Sequence, residues 1–332
     1  MRILVIGGGI FVGRAVADAA VLRGHEVTLF NRGKSAAEVP PGMEWIKGDR
    51  NEDLGALGQG LWDAVIDTCA YFPRHVESML KALHGRTGTY LLVSSVSVYA
   101  DLATPGIDEA YPMSAPTDPA ALTVTPENYG PLKAMCERSA VERGPASTLL
   151  IRPGIIVGPR DPTGRFAYWM RRVARGTEML APGRPDSPLQ VIDVRDLGPW
   201  MVAMLESGAA GPYNAVGPEA PLTWREMLCG AAGALGTSPT FTWADDAFID
   251  KHSPSGALLP LYVAQSATKF QSMYRVSGKA AMGRGLKLRP LASTIADTAR
   301  WLAEASPGST KEAGVSIDRE VELLREWHLG SA

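Results

Sequence analysis

The chain has 332 residues, 45% hydrophobic and 20% charged, and its 33 Lys+Arg against 35 Asp+Glu leave a formal charge of −2. That is about two domains' worth of ordinary globular sequence, which excludes a small cross-linked scaffold and speaks against a nucleic-acid or acidic-membrane binder. Glycines and charges break every apolar run well short of the ~20 residues a membrane helix needs.

The predicted elements begin with a strand at Ile3 to Ile6, a helix from about Phe11 to Arg23 and a strand at Glu26 to Phe30. Further strands are predicted at Glu44 to Lys47, Ala64 to Asp67, Thr89 to Val93 and Thr148 to Ile151. Segments with helical spacing separate them, such as Val76, Met79, Leu80 and Leu83. Near-continuous apolar strands joined by helices imply a doubly wound parallel sheet covered on both faces, a Rossmann-type α/β fold.

After Ile151 the pattern loosens. A helix with Phe166, Trp169, Met170 and Val173 on one face precedes a strand at Leu189 to Val194, a helix to about Glu206 and a short strand at Pro212 to Ala215. Residues 189–216 are expected to return to the sheet, so that 1–157 plus 189–216 form the dinucleotide-binding domain. A smaller, interleaved α+β substrate lobe is expected from 158–188 plus 217–305, with a surface linker and last helix in 306–332.

Gly7-Gly8-Gly9-Ile10-Phe11-Val12-Gly13 follows the first strand and opens the first helix. A dinucleotide pyrophosphate docks at such a turn, because backbone N–H groups and the helix dipole favour an anion and glycines let the backbone come close. At the end of the second strand, where an acidic residue would accept the ribose hydroxyls of NAD, the sequence reads Asn31-Arg32-Gly33-Lys34. Two cations and no carboxylate favour the 2′-phosphate of NADP(H) over NAD(H), against the alternative that both are solvated loop charges. Asp49 is placed to accept from the adenine amino group or to cap a helix. Arg50, Thr68 and Pro153 complete the expected cofactor site.

Tyr129 and Lys133 begin a helix at an offset that puts them on one face. A phenol with a pKa near 10 works as an acid or base only if its anion is stabilised, and an ammonium one turn away is expected to do that. Ser95 ends a strand at the carboxyl edge of the sheet, where ligands of such sheets bind. The pattern of glycine turn, Ser94-Ser95-Val96-Ser97-Val98-Tyr99, Tyr129 with Lys133, Leu150-Ile151-Arg152-Pro153-Gly154 and Ile192-Asp193-Val194-Arg195-Asp196-Leu197 resembles the extended short-chain dehydrogenase/reductase family. That family includes the NAD(P)-dependent epimerases and dehydratases. The resemblance covers about residues 1–300 and implies Tyr129 as acid/base, Lys133 as its electrostatic partner and ribose ligand, and Ser95 as the hydroxyl that orients the substrate oxygen. It also implies a homodimer paired through the Tyr129 helix.

Departures narrow the reading. Ile10 replaces a usual glycine, so that Gly7, Ile10 and Gly13 form the motif, as in the branch with chloroplast stem-loop-binding proteins and bacterial epimerase-like proteins. Ile155 stands where nucleotide-sugar enzymes carry asparagine, and Leu189 where they carry an arginine for the diphosphate. An apolar side chain cannot neutralise a diphosphate. Arg160, Arg165 and Arg184 are the cations near enough in sequence to substitute. The long proline-rich segment from Asp101 to Pro126 is expected to wall the substrate pocket, with Tyr71, Phe72, Tyr99, Trp169 and Trp200 as aromatic candidates beside it. The expected activity is hydride transfer at an alcohol or carbonyl of a small polar, sugar-like substrate, as an epimerase or dehydratase. The alternatives are a net NADPH-dependent reductase and, in another class, an RNA-binding or dinucleotide-sensing protein. No secretory pattern opens the chain, the cysteines Cys69, Cys136 and Cys229 are far apart, and the histidines lack ligand spacing. A cytoplasmic protein without a metal is therefore expected.

Overall fold

The computed structural model describes residues 1–33, 40–52, 54–253, 258–264 and 266–330. The first half alternates strand and helix: β1 (Arg2–Ile6), α1 (Phe11–Leu22), β2 (Glu26–Asn31), β3 (Met43–Lys47), β4 (Trp62–Asp67), α2 (Pro73–Ala82), β5 (Thr87–Val93), α3 (Pro126–Arg143) and β6 (Ser147–Pro153). Then follow β7 (Ile155–Val157), α4 (Arg165–Ala174), β8 (Met179–Pro182), β9 (Pro188–Leu189), β10 (Val191–Asp193), α5 (Val194–Glu206) and β11 (Gly211–Ala215). The remainder is β12 (Leu222–Thr223), α6 (Trp224–Leu235), β13 (Phe241–Ala244), α7 (Asp246–His252), α8 (Lys279–Gly283), α9 (Leu291–Glu304) and α10 (Ile317–Gly330).

Seven strands form one parallel sheet in the order β11-β6-β5-β4-β1-β2-β3. Alternation along each strand sends Ile3 and Val5 to one face and Leu4 and Ile6 to the other. On the first face they join Val16 and Ala20 of α1 and Leu197 and Met201 of α5. On the second they join Val76 and Met79 of α2 and Cys136 and Ala140 of α3. Two buried faces explain the near-continuous apolar strands. Strand order reverses on either side of β1, so the crevice between the carboxyl ends of β1 and β4 is the switch point where ligands of such sheets bind.

A second core gathers Trp169 and Met170 of α4, Met179 of β8, Trp224 and Met227 of α6, Ile295 of α9, and Leu323 and Leu324 of α10. Two expectations are corrected here. The predicted strand Leu189 to Val194 does not enter the large sheet: β9 pairs antiparallel with β12, and β10 pairs with β7. Of the 189–216 stretch, β11 alone adds a strand to the large sheet, beside β6, while α5 packs against α1. The expected terminal appendage is also more than a linker: Lys311 N donates to Pro162 O at 3.0 Å, and in α10 Glu320, 1% exposed, pairs with Arg172. Among the described residues no helix is long and apolar enough to cross a membrane.

Candidate active site

A groove of about 320 Å³ runs along the carboxyl edge of the sheet, lined by Gly7, Gly9 and Ile10 of the glycine turn, Asn31 to Gly33 after β2, Gly48 to Asn51 after β3, and Cys69, Tyr71 and His75 near β4. A second cavity of about 210 Å³ is lined by Phe11, Val12, Thr68, Tyr71, Val93 to Ser95, Tyr129, Lys133, Pro153, Gly154, Ile156, Thr163 and Arg165. Tyr71 lines both, so the cavity with Ser95 and Tyr129 adjoins the groove that holds the glycine turn.

The turn is built for close approach. Gly7 has φ +86° and a Cβ there would lie 2.8 Å from Thr68 Oγ1, while a Cβ on Gly13 would meet the Gly7 carbonyl at 2.6 Å. Only glycine tolerates either position. Phe11, φ +44°, is a bulky residue in left-handed backbone at the start of α1, where a side chain other than glycine costs energy. The shape, the bare turn and the buried Ser94 hydroxyl, which has no hydrogen-bond partner, fit a bound dinucleotide.

After β2, Asn31 Oδ1 accepts from Gly33 N at 2.9 Å and so folds the turn. Arg32 extends from it, its side chain 57% exposed and its Nη1 3.9 Å from an Asp49 carboxylate oxygen. Lys34 lies outside the described residues. The sequence places Arg50 at the cofactor, yet protein atoms engage its guanidinium: Nη1 and Nη2 each donate to Asp67 at 2.8 Å, and Nη2 also donates to the His75 carbonyl at 2.9 Å. It walls the groove and is not free to bind phosphate. Burial works against ionisation of Asp67, but the Arg50 guanidinium beside it holds its carboxyl below the usual range. Tyr90 donates to the same carboxylate at 2.8 Å.

In the inner cavity Ser95 sits two residues beyond β5 and Tyr129 in the first turn of α3, which Thr125 and Asn128 cap reciprocally. The Ser95 hydroxyl donates to Ser97 Oγ at 3.1 Å and accepts from Ser97 N; burial raises the pKa of the Tyr129 phenol, and the nearby Ser95 hydroxyl and Arg165 cation oppose the rise. Lys133 is 3% exposed, and its ammonium donates to the carbonyls of Ala70 at 2.9 Å and Val93 at 2.7 Å, 5.7 Å from the Tyr71 ring centroid. It acts on the phenol of Tyr71, whose pKa burial raises and Lys133 lowers. Lys133, expected as the electrostatic partner of Tyr129, is clamped on the main chain through two of its three donors.

Of the expected substrate residues, Tyr71 lines the cavity, whereas Leu189 is fully buried in the second core and Ile155 packs against that core. Arg160 faces Asp18 at 3.9 Å and Arg184 faces Asp186 at 3.6 Å, both largely solvated. Phe72, Tyr99, Trp169 and Trp200 are buried away from the cavity. The proline-rich segment is also corrected, for none of it lines the cavity. Leu102 N and Gly106 N donate instead to Lys269 O and Arg275 O, and Tyr99 pairs with Met113 across a bridge. Sequence reasoning missed Thr163 and Ile156 in the cavity wall and His75 and Cys69 in the groove, since no motif marks them.

The comparisons agree with this geometry. Residues 70–216 match the profile of the NAD dependent epimerase/dehydratase family. A 2'-dehydrokanamycin reductase from Streptomyces kanamyceticus is 26% identical over 71% of this chain and 67% of its own length. The chloroplast stem-loop binding protein of 41 kDa b from Arabidopsis thaliana is 27% identical over 59% of this chain, which spans about half of that relative. The solved UDP-glucose 4-epimerase of Thermus thermophilus, in complex with NAD, superposes with TM-score 0.65 at 20% identity, over 92% of this chain and all of that one. The glycine turn, the switch-point groove and the Ser95, Tyr129 and Lys133 set thus accompany a similarity, over residues 70–216, to the NAD dependent epimerase/dehydratase family and, over a longer stretch, to a reductase-named relative.

Proposed function

We propose that the protein is an NADP(H)-dependent reductase that moves hydride to the carbonyl of a small polar substrate other than a nucleotide sugar. The observation that carries this reading is the adjacency at Tyr71, which lines both the groove of the glycine turn and the cavity of Ser95 and Tyr129, so that a dinucleotide laid along the groove would bring its nicotinamide towards that pair. When bound, the nicotinamide supplies the hydride. Ser95 donates a hydrogen bond to the carbonyl oxygen, and Tyr129, kept protonated by its burial, gives that oxygen its proton. Lys133 has three donors and two are taken by main-chain carbonyls, which leaves one for a ribose hydroxyl. Arg32 favours the 2′-phosphate, and Asn31, not an acidic residue, ends β2 where a carboxylate would favour the free ribose. The burial of Leu189 supports a substrate without a diphosphate, and the reductase relative supports net reduction over epimerisation.

The test is oxidation of NADPH and of NADH by the purified chain over a panel of ketones, aldehydes and oxo acids. Stoichiometric consumption of NADPH, lost in Tyr129→Phe, is the expected result. Isomerisation of a hydroxylated substrate with no net consumption of cofactor would overturn the reductase in favour of an epimerase.

A further inference from the structure

Resting on that reading of the site, we propose that the substrate is an oxo acid whose carboxylate is held by Arg165, beside the carbonyl handled by Ser95 and Tyr129. Among the three arginines near enough in sequence to serve a substrate, Arg165 alone lines the cavity. Its Nε donates to Thr163 Oγ1 at 3.3 Å. The Thr163 hydroxyl in turn donates to Asp161 Oδ2 at 2.9 Å, and the Thr163 backbone N–H to Asp161 Oδ1 at 2.8 Å. Asp161 is 3% exposed. This relay fixes the guanidinium by one edge while keeping the nearest carboxylate out of direct contact with it.

Among the described residues, the terminal Nη groups of Arg165 have neither a hydrogen-bond nor an ion-pair partner. A guanidinium presented in this way, in a wall shared with two other donors, Ser95 and Lys133, keeps its terminal donors for a ligand while Asp161 balances its charge only at second hand. A carboxylate matches its fork with two parallel hydrogen bonds. A cationic substrate would meet two like charges. Ser95, Tyr129 and Arg165 line this one cavity of about 210 Å³, so a substrate gripped by all three carries its acid close to the reacting carbonyl, as a short oxo acid does.

The experiment uses 2-oxobutyrate, acetoacetate and levulinate, each against its methyl ester, with wild type, Arg165→Ala, Arg165→Lys and Arg165→Glu. NADPH oxidation is read as kcat/KM, and calorimetric titration of the NADPH-loaded protein with 3-hydroxybutyrate and its methyl ester, a combination that cannot exchange hydride, supplies a readout that needs no turnover. In wild type at least one acid should exceed its ester by about tenfold to hundredfold. The ratio should fall to near unity in Arg165→Ala, mostly through KM, keep its sign in Arg165→Lys and invert in Arg165→Glu, with NADPH affinity unchanged. Acids that neither react nor bind better than their esters, or a ratio that survives Arg165→Ala, would overturn the proposal, and turnover of the esters would leave the reductase itself standing. Arg165-dependent binding of the acid without NADPH oxidation would instead uphold the anion site and defeat the reductase.

Discussion

The ammonium of Lys133 donates to the carbonyl of Val93 at 2.7 Å, at the end of β5, two residues before Ser95. The helix that carries Tyr129 is thereby tied to the strand that leads to Ser95. A substitution at Lys133 should therefore cost stability as well as chemistry. In Lys133→Met the buried carbonyls of Val93 and Ala70 lose their donor, a change of about 1–3 kcal/mol. Urea denaturation should record that loss together with a fall in turnover; an unchanged midpoint would show that the clamp carries no weight in the fold.

Arg50 and Asp67 make the second such tie, between the segment after β3 and the end of β4. The Asp67 side chain is fully buried and that of Arg50 is 9% exposed, and breaking a buried pair by removing one partner costs about 3–5 kcal/mol. Asp67→Ala should lower the melting temperature and weaken NADPH binding together, because the freed guanidinium stands in the groove wall. A melting temperature equal to wild type would contradict the role given to the pair.

Tyr129 governs the pH profile. Burial raises its pKa above the usual value for a phenol, against the pull of Ser95 and Arg165. Reduction uses the protonated phenol, so its rate should stay level through neutral pH and fall only at strongly alkaline pH. Oxidation of the corresponding alcohol uses the phenolate and should rise with pH over the same range. Tyr129→Phe should cut both by about 10²-fold or more with cofactor affinity retained. An alkaline limb that persists in the Phe variant would assign the titration to another group.

The sheet and both its covering layers were legible because strand after strand reads as continuous apolar sequence, and because glycines at Gly7 and Gly13 leave few alternatives to a dinucleotide turn. Ser95, Tyr129 and Lys133 could be singled out only through the family resemblance, and they line one cavity. What was not legible depends on contacts between distant segments. Nothing local in Lys47-Gly48-Asp49-Arg50 reveals that Arg50 turns inward to Asp67. The run Leu189 to Val194 reads as one strand, yet Gln190, whose amide donates to three carbonyls of other segments, separates two strands that pair in different sheets. The offset that places Lys133 on the face of Tyr129 is correct, but it could not say that two carbonyls from other segments would take the ammonium.

Arg32 is the test of cofactor choice. Its side chain is 57% exposed at the groove mouth and only 3.9 Å from Asp49, a long contact that a phosphate would readily displace. Arg32→Ala should weaken NADPH about tenfold and leave NADH nearly unchanged, as expected for one lost charge-assisted contact. Raising the salt concentration should weaken NADPH binding in wild type and do so less in the variant. Equal losses for both cofactors would remove Arg32 from the 2′-phosphate site.

His75 adds an acid limit to stability. Burial, reinforced by the neighbouring Arg50 cation, lowers its pKa from 6.5 to about 4, so the native ring is neutral where the unfolded one is charged. Between those two values the unfolded chain binds the extra proton, and the sign of the linkage makes stability fall as pH drops, by at most ~1.4 kcal/mol per pH unit for one group. The contribution is fully present above about 6.5 and is lost progressively towards about 4. His75→Gln retains an acceptor for the Tyr71 backbone N–H, which lies 3.4 Å from the ring Nδ1, but cannot titrate. Urea midpoints for the two proteins should run together above neutrality and separate below about pH 6, with the variant the flatter curve. Parallel curves across that interval would mean that His75 is protonated in the native groove.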